Sequence, residues 1–212
     1  EDKAKKNQSQ LISIRESYNF EIKSSTLTNQ KFVVYHDGVS IELDIKLPGL
    51  HQIKNAILAL GIVNELKEVL PVNNKNIKKG LAQTKWSGRT EIINKKPLVI
   101  LDGAHNEDSI KQLIEVLKSN ISSSKKITII LSILKDKNIK QILQLLNFRK
   151  ENYEIIITRN KNIRVQEPEI IKSIADEIGI KNSICPDIKK VISDIKKYPA
   201  EEVVVVTGSL YT

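Results

Sequence analysis

The residues best suited to chemistry lie where an apolar run, residues 98–101, gives way to Asp102, a glycine and then His105 and Asn106. A buried strand followed at once by a helix forms the βα turn of an open α/β sheet, which binds ligands beyond the carboxyl ends of its strands. Asp102 can accept hydrogen bonds from a ribose, and His105 can stack, hydrogen-bond or move a proton. The pattern predicts a ligand site there, although Asp102 and Asn106 could equally only turn the chain and cap the helix.

Two further polar groups have the chemistry to contact a nucleotide. His51 and Asn55 are four residues apart and therefore project from one face near the start of a predicted helix. The Asn55 amide offers a donor and an acceptor, as the edge of adenine does, although it could instead cap the helix. Arg89 follows Gly88 in a predicted loop, where a guanidinium can neutralise phosphate oxygens and stabilise charge that develops during phosphoryl transfer. A solvated surface position is the alternative for Arg89.

The spacing of the glycines excludes the common phosphate-binding loops. No two glycines form a Gly-x-Gly pattern and no Gly-Lys pair occurs, so the sequence has neither a dinucleotide fingerprint nor a P-loop. The three histidines and the single cysteine are scattered without the spacing of metal ligands. No Gly-x-Ser-x-Gly or Cys/His pattern indicates covalent catalysis. We therefore expect no metal ligands and no nucleophile among these residues.

Composition narrows the classes of partner. The net charge of +9 is spread along the chain without a basic tract interleaved with aromatic residues, which argues against nucleic acid and favours small anionic ligands. No apolar run is long enough to span a bilayer, and the polar first residues do not resemble a secretory signal. The single Cys185 excludes an internal disulfide and fits a reducing compartment. These features predict a cytoplasmic protein without nucleic-acid or membrane partners, and they leave the oligomeric state open.

The elements that must position these residues change character near residues 84–87. Beyond this boundary, continuous apolar stretches alternate with amphipathic ones, which is typical of an α/β domain with a mostly parallel sheet. The predicted strands lie near residues 91–94, 97–102, 127–133, 153–158 and 203–207, and the predicted helices lie near 107–119, 137–147, 168–178 and 187–197. If the strands ending at Leu101, Leu134 and Thr207 share one rim, the polar residues after them converge on one ligand.

Before the boundary, the pattern is that of a β-hairpin followed by helices. Residues 1–10 are charged and polar, and we expect them to be frayed. Asp37-Gly38 is a strong signal for a two-residue hairpin turn. The predicted strands are Tyr18–Ser24, Phe32–His36 and Val39–Leu47, and the predicted helices cover about His51–Val69 and Asn76–Gln83.

Four blocks, in this order and spacing, resemble folylpolyglutamate synthase/dihydrofolate synthase of the Mur ligase superfamily. They are Leu-Pro-Gly-Leu-His-Gln-Ile-Lys-Asn-Ala at 47–56, Trp-Ser-Gly-Arg-Thr-Glu at 86–91, Asp-Gly-Ala-His-Asn at 102–106 and Thr-Gly-Ser-Leu-Tyr at 207–211. The resemblance covers about Tyr18 to Thr212. It implies that residues 85–212 form the Rossmann-like C-terminal α/β domain of a Mur ligase, and that residues 1–84 are the remnant of its central ATPase domain. The P-loop of the family would lie in a preceding part, so we expect this chain to be inactive alone.

The resemblance also implies a role for each candidate residue. Asn55 would contact the nucleotide base, and Arg89, paired with Glu91, would act on the phosphates of ATP and in catalysis. Asp102 and His105 would contact the nucleotide, and His105 would also be catalytic. Two residues would bind glutamate, namely Lys137 and Ser209. The match is imperfect at Ser87, where the family often has proline.

By the same resemblance, ATP phosphorylates a carboxylate of folate or dihydropteroate, and the amino group of glutamate attacks the acyl phosphate. The family uses Mg²⁺, whose main ligands are expected in the missing amino-terminal part. Three alternatives stay open at this point. They are a Mur-type peptidoglycan ligase with another amino acid and acceptor, a non-catalytic module that binds glutamate or nucleotide, and a nucleotide-binding α/β domain with an unrelated role.

Overall fold

The computed structural model describes residues 2–9 and 11–209. Leu210 and Tyr211, which belong to the last of the four sequence blocks, lie outside the described residues. The chain divides into two compact units, and the division falls between Lys85 and Trp86. Within the described residues, no helix combines the length and the apolar character that crossing a membrane would require.

The first unit is a three-stranded antiparallel sheet with helices. In chain order its elements are α1 (Asp2–Lys6), α2 (Ile14–Ser17), β1 (Asn19–Ser25), β2 (Gln30–His36), β3 (Val39–Ile45), α3 (Leu50–Glu65) and α4 (Asn74–Gln83). Asp37 and Gly38 have φ angles of 48° and 74°, and His36 pairs with Val39. This is the two-residue hairpin turn that the Asp-Gly pair predicts. Two expectations are wrong at the boundaries, because residues 2–6 are helical and α3 ends at Glu65.

A polar side chain fixes the start of α3, the helix that carries Asn55. Gln30 is buried, and its Nε2 donates to the carbonyl oxygens of Leu47 (2.7 Å) and Gly49 (3.0 Å). Gly49 has a φ of 101°, which glycine adopts without steric cost, so the chain turns sharply into the helix. The apolar face of α3 then packs on the sheet in a core that contains Phe32, Val34, Leu43, Ile53, Ile57 and Leu60.

The second unit is an α/β fold around one six-stranded sheet. Its elements are β4 (Glu91–Lys95), β5 (Leu98–Leu101), α5 (Glu107–Asn120), β6 (Ile127–Leu131), α6 (Ile139–Leu146), β7 (Tyr153–Arg159), α7 (Pro168–Ile178), β8 (Asn182–Asp187), α8 (Ile188–Asp194), a 3-10 turn (Ile195–Lys197) and β9 (Val203–Thr207). The strand order is β4-β5-β9-β6-β7-β8, and every pairing is parallel except that of β4 with β5. The predicted α/β class and mostly parallel sheet are confirmed.

Burial explains which strands could be predicted from the sequence pattern. All residues of the central strands β6 and β9 are buried, so both read as continuous apolar runs. Strand β8 lies at the edge of the sheet and pairs only with β7. It contains Pro186 and several polar residues, which an edge strand tolerates, and the sequence pattern therefore missed it.

Candidate functional site

The carboxyl ends of β5, β9 and β6 form one rim of the second unit, because these three strands are parallel neighbours. Hydrogen bonds connect the segments that follow them. The Asp102 amide donates to Val206 O (2.9 Å), the Gly208 amide donates to Ala104 O (2.8 Å), and the Ser132 amide donates to Thr207 O (3.3 Å). The ends of three predicted strands therefore lie side by side. One of them differs from the prediction, because β6 ends at Leu131, and Leu134 instead forms an isolated antiparallel bridge with Val165.

Asp102 is a buried carboxylate with three hydrogen bonds. Its Oδ2 accepts from the amide of Thr90 (2.8 Å) and from Thr90 Oγ1 (2.9 Å), and its Oδ1 accepts from the amide of Ala104 (2.9 Å). Burial raises the pKa of Asp102, and these bonds together with the positive charge of Arg89 partly offset that effect. A carboxylate offers about four lone-pair positions, so roughly one acceptor position is left for a ligand.

Arg89 sits in a turn that is tied down on both sides. The amide of Gly88 donates to Glu91 Oε2 (2.8 Å), and Gly88 O accepts from the Gly103 amide (2.7 Å). The expected ion pair between Glu91 and Arg89 is absent from the described part of the chain, since Glu91 binds the Gly88 backbone instead. Arg89 is half-buried, and within residues 2–9 and 11–209 its guanidinium makes neither a hydrogen bond nor an ion pair. Its donors are available for an anionic ligand.

His105 has a defined tautomer. Its Nδ1 lies 2.8 Å from Gly103 O, and a carbonyl oxygen only accepts, so Nδ1 carries the proton of the neutral ring. Nε2 then keeps its lone pair, and no hydrogen bond to it occurs among the described residues. The ring is half-buried at the rim, where Nε2 can accept a hydrogen bond or a proton.

Backbone amides at the amino end of α5 already have hydrogen-bond acceptors. Asn106 caps the helix as predicted, because its side chain accepts from the Ser109 amide (2.9 Å) while Ser109 Oγ accepts from the amides of His105 (3.0 Å) and Asn106 (3.1 Å). Glu107 and Asp108 place two negative charges in the first turn, where they complement the helix dipole. The amino end of this helix is therefore a poor anion site, and Arg89 supplies the positive charge at this part of the rim.

Ser209 follows a glycine that the rim requires. Gly208 has a φ of 98°, and a Cβ there would lie 2.5 Å from Ser132 O. Only glycine fits at that position, so the chain passes directly over the end of β6 before it reaches Ser209. Ser209 is buried, with 5% of its surface exposed.

Lys137 lies in the segment after β6 and is paired with its neighbour. Its Nζ is 2.8 Å from Asp136 Oδ2, and Arg164 Nη1 is 3.9 Å from the other oxygen of that carboxylate. The bond from Lys137 lowers the pKa of Asp136. An ammonium group has three donors, so Lys137 keeps donors for a carboxylate ligand.

Asn55 lies in the first unit on an exposed face of α3. Its Nδ2 donates to Gln52 Oε1 at 3.2 Å, a bond within the helix. The amide oxygen and the second N–H can still pair with a base. The two units are compact bodies of their own. Within the second unit, hydrogen bonds from Thr90 to Asp102 and from the Gly208 amide to Ala104 O link the segments that carry Arg89, Asp102, His105 and Ser209. Lys137 lies in a separate segment after β6, where it pairs with Asp136.

Sequence reasoning missed several polar residues at the rim. Thr90 holds the turn beside Arg89, and nothing in the sequence signals that a threonine adopts a φ of 49° there. Ser132 Oγ, Thr158 Oγ1 and Asn160 Nδ2 are buried and have no hydrogen-bond partner among the described residues. For Ser132 and Asn160 the available signal was a polar residue directly after an apolar strand. Within the described residues, no group of three or more His, Cys, Asp or Glu side chains could hold a metal ion.

Comparisons with known proteins identify the family and the fold. The family described as "Mur ligase, glutamate ligase domain" matches residues 88–210. The chain is 30% identical over 174 residues to a dihydrofolate synthase/folylpolyglutamate synthase of Bacillus subtilis (strain 168), which covers 80% of this chain and 39% of that protein. It is also similar to the crystal structure of a folylpolyglutamate synthase from Thermotoga maritima, with a TM-score of 0.79, 30% identity, and coverage of 99% of this chain and 48% of that one.

A third similarity supports the fold alone. A Mycobacterium tuberculosis folylpolyglutamate synthase complexed with ADP and AMPPCP matches with a TM-score of 0.72 and 24% identity, over 91% of this chain and 46% of that one. The chain spans less than half the length of each of these three proteins.

Proposed function

The chain belongs to the Mur ligase family through its glutamate ligase domain, and from this premise we propose that it is the C-terminal part of an ATP-dependent ligase. The ligase joins glutamate to folate or dihydropteroate. Residues 85–212 are the C-terminal α/β domain, and residues 1–84 belong to the central ATPase domain. The similarity to dihydrofolate and folylpolyglutamate synthases supports this choice of substrates.

The observation that carries the proposal is Arg89, a half-buried residue whose flanking main chain is tied to the rim and whose guanidinium donors are uncommitted in the described part of the chain. A guanidinium in this state binds phosphate oxygens through two parallel bonds. The nucleotides bound to a relative of the same fold are the ligands that such a group fits. Asn55 contacts the base, and Asp102 and His105 contact the nucleotide beside Arg89.

The proposed reaction has two steps. A carboxylate oxygen of the acceptor attacks the γ-phosphorus of ATP, ADP leaves, and Arg89 stabilises the charge on the transferred phosphoryl group. The amino group of glutamate then attacks the acyl carbon, and phosphate leaves. The amine must lose a proton, and His105 Nε2 has the lone pair to accept it. Lys137 and Ser209 hold the carboxylates of glutamate.

Mg²⁺ belongs to this chemistry, where it would neutralise phosphate charge. The described residues do not fit such a site, because no cluster of acidic or histidine side chains is present among them. Its ligands are therefore proposed to lie in another part of the ligase. The amino-acid sequence contains no P-loop, so we expect the isolated chain to show neither ligase nor ATPase activity. A cytoplasmic location, without nucleic-acid or membrane partners, completes the proposal.

One set of assays tests this function. The longer ligase that carries this chain should form a glutamyl product from ATP, glutamate and either dihydropteroate or folate, and the preferred acceptor will distinguish the synthase from the polyglutamylation activity. A Mur-type ligase would instead use a nucleotide-linked peptide acceptor. Binding of ADP or glutamate without turnover in the longer protein would favour a non-catalytic module, and binding of neither would remove the chain from this chemistry. ATP hydrolysis by the isolated chain, abolished by Asp102→Ala, would contradict the expected inactivity.

A further inference from the structure

We propose that Thr90 is a positioning residue for Arg89, held in place by Asp102. The residues involved are Gly88, Thr90, Asp102 and Gly103, which we call the clasp. The inference rests on the proposed function in one respect, namely that Arg89 binds phosphate. It assigns to Thr90 a role that its sequence pattern does not indicate.

The backbone of Thr90 is in a conformation that it would not adopt alone. Its φ of 49° lies in the left-handed region, which is uncommon for any residue with a Cβ and an outlier for a β-branched one. Such a conformation persists only where the surrounding structure determines it. Both donors of Thr90 bind one oxygen of Asp102, the amide at 2.8 Å and Oγ1 at 2.9 Å. The carboxylate is the group that holds this conformation.

The residue on the other side of Arg89 is fixed by the same turn. Gly88 O accepts from the Gly103 amide at 2.7 Å, and the Gly88 amide donates to Glu91 Oε2 at 2.8 Å. The main chain is therefore tied to residues 102–103 both before and after Arg89. Thr90 and Asp102 are 4% and 8% exposed, so water competes little for these bonds.

The clasp fixes the main-chain position of Arg89, and with it the position from which the side chain reaches a ligand. A long cationic side chain loses considerable conformational freedom when it binds a ligand, and a fixed main chain reduces the part of that cost that belongs to the loop. Arg89 has no other fixation among the described residues, since its side chain forms no hydrogen bond or ion pair there. Loosening Thr90 should therefore weaken phosphate binding through Arg89.

The first experiment measures the clasp without any ligand. In the ¹⁵N-labelled full chain, we expect the backbone heteronuclear NOE of Arg89 and the exchange protection of the Gly103 amide to fall in Thr90→Val, which keeps the shape but loses the hydroxyl. Both values should return to those of the wild type in Thr90→Ser. Thr128→Val is the matched control, because Thr128 is equally buried and donates to Glu154 Oε1 (3.2 Å) elsewhere in the sheet. Unchanged values in Thr90→Val, or an equal loss in the control, would overturn the clasp.

The second experiment couples the clasp to Arg89. In the longer ligase that carries this chain, with ADP as the probe, the dissociation constant should rise about tenfold in Thr90→Val, because the loop that carries Arg89 must then be ordered when ADP binds, and it should return in Thr90→Ser. In an Arg89→Ala background, Thr90→Val should add nothing, because the two residues act as one unit. Additive effects would overturn the positioning role. Failure of the wild type to bind ADP would overturn the nucleotide role of Arg89, and the NOE comparison would still decide whether the clasp exists.

Discussion

The two sides of the rim differ in whether their buried polar groups are hydrogen-bonded. On the β5 side, which comprises residues 88–90, 102–105 and 207–208, the buried polar groups bind one another. Asp102 accepts three hydrogen bonds there, and Thr207 Oγ1 donates to Ala104 O (3.2 Å). On the β7 side, which comprises residues 132–137 and 158–164, buried polar atoms of Ser132, Thr158 and Asn160 have no partner among the described residues.

This difference shows which buried polar groups at the rim are already hydrogen-bonded within the fold. A satisfied buried network is rigid and specifies one arrangement, whereas an unsatisfied buried polar atom costs about 1–3 kcal/mol. The β5 side therefore presents Arg89 on a preformed frame. The β7 side is held by contacts between loops, such as the bond from the Lys135 amide to Arg164 O (2.8 Å) and the bridge between Leu134 and Val165.

The largest expected effect tests whether the frame on the β5 side serves catalysis. In the full-length ligase, Arg89→Ala should lower the turnover number more than it weakens ATP binding, because losing such a group costs roughly 3 kcal/mol in the transition state. Steady-state kinetics with ATP as the varied substrate measure both effects. Arg15→Ala, at an exposed position of the first unit, is the control. An unchanged turnover number would make the frame around Arg89 purely structural.

A smaller effect is expected for Ser209, which we propose binds glutamate. Ser209→Ala should raise the Michaelis constant for glutamate and leave that for ATP nearly unchanged, with a loss of about 1–2 kcal/mol for one hydrogen bond to a charged ligand. Lys137→Ala should act in the same direction. An equal change in both Michaelis constants would mean that Ser209 acts through folding, and no change in either would remove it from the site.

The pH dependence of stability tests the burial of Asp102. Its pKa is raised in the folded chain, so the unfolded chain gives up this proton at lower pH than the folded chain does. The free energy of unfolding should then decrease as the pH rises from about 3.9, the ordinary value for Asp, to the raised value. Asp102→Asn cannot titrate and should lack this decrease. Denaturant unfolding at several pH values measures it, and parallel curves for the two proteins would contradict the raised pKa.

The sequence predicted the parts of this rim that follow from strand burial and helix capping. The apolar runs at β5, β6 and β9 and the cap at Asn106 are strong local signals, and the structure has them where expected. The clasp and the unpartnered hydroxyls could not be predicted in the same way. Both depend on which loops meet across neighbouring strands, as when Thr90 reaches Asp102 twelve residues away. Such contacts are set by the strand order, which the sequence pattern does not encode locally.

The smallest expected effects come from the same substitution, threonine to valine, made on each side of the rim. It should change the free energy of unfolding differently on the two sides. Thr207 and Thr158 are both fully buried, but Thr207 Oγ1 donates to Ala104 O while Thr158 Oγ1 has no partner among the described residues. Valine keeps the shape of threonine and replaces the hydroxyl with a methyl group. Thr207→Val leaves Ala104 O with one bond fewer and should lower the free energy of unfolding by about 1 kcal/mol.

Thr158→Val removes a polar atom that gains nothing in the fold, so it should leave stability unchanged or raise it by up to about 1 kcal/mol. Denaturant midpoints at equal slope compare the two variants directly. Destabilisation by both would mean that the hydroxyl of Thr158 is satisfied in solution, as by a buried water, and the two sides of the rim would then be alike. Destabilisation by Thr207→Val alone would establish that the fold uses its polar groups on the β5 side and leaves them uncommitted on the β7 side.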